Sequence, residues 1–126
     1  MLFGSLFLLL IPLLPIAPDE NPLFDRYSTS ISIKQEHERL DNYAIQLKNS
    51  PGSRALIIVY AENEKTAASV KARARRAVEY LVKTRGLNRV RVVWRYDGAC
   101  KQNEILLYLL FPNEVDPSPD TKCLRA

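Results

Sequence analysis

The residues of this 126-residue chain whose types could do chemistry are few: the acids Glu62 and Glu64, the single histidine His37, the cysteines Cys100 and Cys123, and the cations of Lys71 to Arg76. Two nearby carboxylates can divide acid and base work. Glu62 and Glu64, however, stand two apart in a loop that opens a helix, where acidic side chains favour the positive end of the dipole. His37 falls in the first turns of another helix among charged residues, and without a second His or a Cys pair it makes no metal site. The remaining nucleophiles are scattered Ser and Thr with no base at a workable spacing, so the chain reads as neither an enzyme nor a cofactor carrier.

The basic residues are unevenly spread. Lys65 to Arg95 holds ten Lys or Arg against the single acid Glu79, leaving eight bases against thirteen acids elsewhere. A basic segment of this kind suits an anionic partner, although such segments also serve only to keep a small protein soluble. Arg75 and Lys83 each lie four residues from Glu79 and are expected to pair with it on a helix surface. Arg73 and Arg76 have no such partner in sequence.

Residues 1–17, MLFGSLFLLLIPLLPIA, carry no charge and read as an export signal or an N-terminal anchor. A helix of that length falls short of a hydrocarbon core of about 30 Å, and Pro12 and Pro15 interrupt it, so any membrane contact runs through an uncleaved N-terminal segment alone. Export places the chain in the periplasm, cell envelope or medium. There the two cysteines face an oxidising environment, and a Cys100–Cys123 disulfide is expected, since the tail from Pro112 to Lys122 is long enough to return to Cys100.

The elements that must position these residues are legible from periodicity. Residues 18–30 are a linker ending in an edge segment. Ser32 and Gln35 have the spacing of a capping box, followed by Leu40, Tyr43, Ala44 and Leu47 on one helical face. Ala55–Ala61 is a buried strand. Lys65–Gly86 is a helix with Val70, Ala74, Ala77 and Leu81 inward and Gly86 as its stop. Arg89–Tyr96 alternates as a half-buried strand and is expected to pair with Glu104–Phe111 as an antiparallel hairpin. Residues 113–126 read as a tail. Two helices cover one face of a sheet, so the domain over residues 31–112 is an α+β, two-layer βαβαββ sandwich. Its other sheet face, with Leu106 and Tyr108, is expected to stay open and to offer a homodimer contact.

RLDNYAIQLKNSPGSRALIIVYA, ARARRAVEYLVKTRGL and RVRVVW together resemble an uncharacterised family of exported bacterial proteins that is itself similar to the OmpA-like domain of the cell envelope. The resemblance covers about Arg39 to Phe111 and implies the same fold. It also implies a non-catalytic module that binds peptidoglycan or another anionic envelope polymer, with Arg73-Ala74 matching the ligand-contacting helix step. Tyr60-Ala61-Glu62-Asn63 stands where the family's acidic loop would be, which leaves Glu62 or Glu64 as the acidic contact and Arg76 as a basic neighbour. The competing expectation is a structural subunit that self-associates through the apolar sheet face. Nucleic acid is disfavoured by export and by the lack of exposed aromatics interleaved with the basic residues as stacking platforms.

Overall fold

The computed structural model describes residues 22–119. Among them the order is β1 (Leu23–Ser28), α1 (Ile33–Lys48), β2 (Arg54–Ala61), α2 (Glu64–Glu79), β3 (Val92–Ala99) and β4 (Glu104–Leu110). The strands form one mixed sheet in the order β1-β4-β2-β3, with both helices on one face, so the expected two-layer α+β arrangement is what the chain adopts. Residues 1–17 and Cys123 lie outside the described residues.

Each helix begins where side chains can satisfy its first backbone donors. Ser32 and Gln35 form the expected capping box on α1, at 3.0 and 3.1 Å. Asn63 caps α2 by accepting from the backbone N–H groups of Lys65 and Thr66. After α2 a five-residue π-helical turn, Tyr80–Thr84, carries the chain to Gly86. There φ is +76°, and Leu87 N–H reaches Leu81 O while Gly86 N–H reaches Val82 O, each bond one residue wider than in a Schellman stop, as the π-helical turn requires. Leu40, Tyr43, Ala44 and Leu47 of α1 and Val70, Ala74, Ala77 and Val78 of α2 then pack with Ala55, Ile57, Val59, Ile105 and Leu107 as one core.

Three expectations are corrected. First, β3 and β4 do not form a hairpin: β2 lies between them, parallel to β3 and antiparallel to β4. The burial pattern explains the order, because β4 is apolar on both faces and gains most at the sheet centre, whereas the alternating β3 suits an edge. The connection crosses the end of β2, with Cys100 N–H donating to Ala61 O at 2.9 Å.

Second, Arg89–Arg91 is a 3-10 turn, not a strand. Asn88 accepts from Val90 N–H, and the Arg91 guanidinium donates to Leu47 O and Ser53 O, each at 2.8 Å. Arg91 thus closes the C-terminal end of α1, where a cation complements the exposed carbonyls.

Third, the outer sheet face is closed. Leu56, Ile58, Tyr60, Leu106, Tyr108 and Leu110 are all buried, although both helices lie on the opposite face. Part of their cover is the segment after β4, which was expected to be a tail. Arg54 pairs with Asp116 at 2.5 Å, and Arg95 donates to the Pro117 carbonyl, so this segment runs back against the sheet. Self-association through an exposed Leu106–Tyr108 face loses its basis.

Candidate functional site

Arg73 sits on the flank of α2 that faces α1 and the β1–α1 connection. Its Nε donates to Glu36 Oε1 at 3.0 Å, Nη1 to Thr29 O at 2.7 Å and Nη2 to Ile31 O at 3.1 Å. Glu36 is 4% exposed and also accepts from the Tyr27 hydroxyl at 2.6 Å. Burial and the adjacent Glu36 carboxylate push the Tyr27 phenol up from its ordinary value, which keeps it a neutral donor. Every nitrogen of the guanidinium is engaged. Arg73 therefore clamps β1, α1 and α2 together and is not presented to a ligand, a correction to its expected role.

Glu62 and Glu64 do not meet it. Glu64 lies nine positions before Arg73 on α2, about 14 Å of helix rise away. It occupies the first turn of α2, and Glu62 is exposed in the preceding loop, its N–H donating to Asn103 Oδ1 at 2.6 Å. The two acids therefore lie at the start of α2, away from Arg73 and Arg76, with which they were expected to form one site.

Much of the remaining basic segment is also committed. Arg89 and Lys83 converge on Glu79, while Arg85 pairs with Asp41 at 2.6 Å and Arg95 with Asp97 at 2.7 Å. The expected Arg75–Glu79 pair does not form. Arg75 instead lies over the Trp94 ring, 5.3 Å from its centroid, and Lys71 lies over the Tyr96 ring at 4.5 Å. Lys65 and Arg76 project from the solvent side of α2 with no partner among the described residues. Four cations of one helix, Lys65, Lys71, Arg75 and Arg76, thus have no carboxylate partner there. Two of them lie over half-buried aromatics of edge strand β3.

Neither a protein-family model, nor a curated protein, nor a solved structure matches this chain. The site must be read from its own geometry.

The α2–β3 seam was missed because its paired residues lie 19 and 25 positions apart in sequence. The available signal was the four-residue spacing of Lys71 and Arg75, matched to the two-residue spacing of Trp94 and Tyr96 on the helix-facing side of β3. On the other flank of α2 a groove of about 350 Å³ separates the two helices, lined by Ile33, Glu36, His37, Leu40, Arg76 and Ala77. His37 is not simply solvated: its ring stacks on Tyr80 at 3.9 Å between centroids. Tyr80 in turn donates to Asp41 at 2.5 Å. Among the described residues, no group of three His, Cys, Asp or Glu is placed to hold a metal, and no helix is long and apolar enough to cross a membrane.

Proposed function

We propose that this domain is a non-catalytic binding module of the cell envelope that holds an anionic polymer, peptidoglycan among the possibilities, across the solvent face of α2 and its seam with β3. The observation that carries this reading is the set of four α2 cations without carboxylate partners, beside a basic segment otherwise committed to internal pairs. Charges left unneutralised on one face attract polyanions and exclude cationic partners. Trp94 and Tyr96 hold the Arg75 and Lys71 side chains at the edge of that face.

The charge-free N-terminal segment supports an exported location, and the resemblance to envelope domains supports the same compartment. The mechanism differs from the one that the resemblance implies. Contact runs through Lys65, Lys71, Arg75 and Arg76, and Arg73 contributes only by fixing α2 against α1. Cosedimentation of the purified protein with isolated sacculi at low and high salt tests the reading. Binding that falls steeply as salt screens the face supports it. Binding indifferent to salt, or none at low salt, contradicts it.

A further inference from the structure

The groove between α1 and α2 has an apolar floor that the polymer reading leaves unused, beside Arg76, which that reading also employs. Its floor is apolar, formed by Leu40 at 1% and Ala77 at 3% exposure, and Ile33 at the rim keeps about half of its surface in water. Arg76 stands at the opposite rim, exposed and without a partner among the described residues. The lining acid, Glu36, is compensated already, because Arg73 and Tyr27 take one oxygen each. His37, also in the lining, holds its imidazole flat against Tyr80.

We infer that this groove binds a small amphiphilic carboxylate, with its hydrocarbon part on Ile33, Leu40 and Ala77 and its carboxylate on the Arg76 guanidinium. The volume is that of a small-molecule pocket, in which apolar lining supplies affinity and one placed polar group sets orientation. The single unpaired guanidinium matches a singly charged planar head, which it can grip through two parallel N–H donors. A multiply charged head would need further cations, and the remaining lining residues include no second Lys or Arg. The groove lies on the α1 side of α2, away from the Trp94 and Tyr96 seam, so this inference does not depend on the polymer reading.

The probe is octanoate, titrated into the full-length protein while methyl resonances of Ile33 and Ala77 are followed by NMR. Saturable shifts at both methyls are expected, with octanol, which has a similar chain but no charge, binding about tenfold more weakly or not at all. Arg76→Gln should weaken octanoate by a similar factor, and Ile33→Ala should weaken both probes. Both positions are exposed, so melting temperatures report that the variants stay folded. Lys101→Gln, an equal loss of charge in a distant loop, serves as control. Shifts that fail to saturate, equal binding of octanoate and octanol, or equal weakening by Arg76→Gln and Lys101→Gln would each overturn the assignment.

Discussion

At the scale of single residues, the chain spends most of its arginines on its own architecture. Arg73 is the sharpest case, because removing it leaves the buried Glu36 carboxylate with the Tyr27 hydroxyl alone. Arg73→Ala should therefore lower stability by about 3 kcal/mol, as breaking a buried ion pair does. Chemical denaturation checks this, and an unchanged midpoint would show that Arg73 is not a clamp. Glu79 supplies a pH signature. Hydrogen bonds from Arg89, with Lys83 adding its own, hold the carboxyl at about 2, below its ordinary value of 4.5. A carboxylate depressed in the folded state stabilises fully above its ordinary value and loses that contribution as pH falls through the folded one. Melting temperature should consequently decline between about pH 4.5 and 2, and Glu79→Gln should flatten that decline while leaving the curve above pH 5 parallel. A wild-type and variant difference that is constant across the acid range would contradict the pairing.

At the scale of elements, burial sorts the strands. β4 sits between β1 and β2 with Leu106 at 3% exposure on the face away from the helices. A charge there has no water to reach, so Leu106→Asp should destabilise the domain by on the order of 4 kcal/mol. Thermal melting decides it: a variant that merely lost a dimer contact would keep the melting temperature of the monomer. Both helices, β2, β4 and the Val92–Tyr96 part of β3 were legible in sequence, because caps such as Ser32–Gln35, the Gly86 stop and strand alternation are local signals. The order of the strands was not. Asp97-Gly98 reads as turn chemistry, yet Gly98, at φ +106°, lies within β3 where its register on β2 shifts, and the chain then crosses to the far side of β2. The candidate site was legible only in part for the same reason. Arg73 and its partners Glu36, Thr29 and Ile31 are about forty residues apart, so nothing near Arg73 in sequence reveals that its donors are filled.

At the scale of the whole molecule, two helices close the inner sheet face and the segment after β4 closes part of the outer one, through Arg54–Asp116 and Arg95–Pro117. Cys100 lies beside that outer cluster at 6% exposure, and its expected partner lies outside the described residues. Peptide mapping of the non-reduced protein should yield a linked Cys100–Cys123 pair, worth roughly 3 kcal/mol in the chain-entropy account; two alkylatable thiols would exclude the staple. What the closed fold leaves outward is the cationic face of α2. The most direct test of that face compares wild type with a variant carrying Lys65→Gln, Lys71→Gln, Arg75→Gln and Arg76→Gln in cosedimentation with sacculi at low salt. Wild type should bind and the variant should stay in the supernatant with its melting temperature nearly unchanged, whereas equal sedimentation of the two would contradict the account.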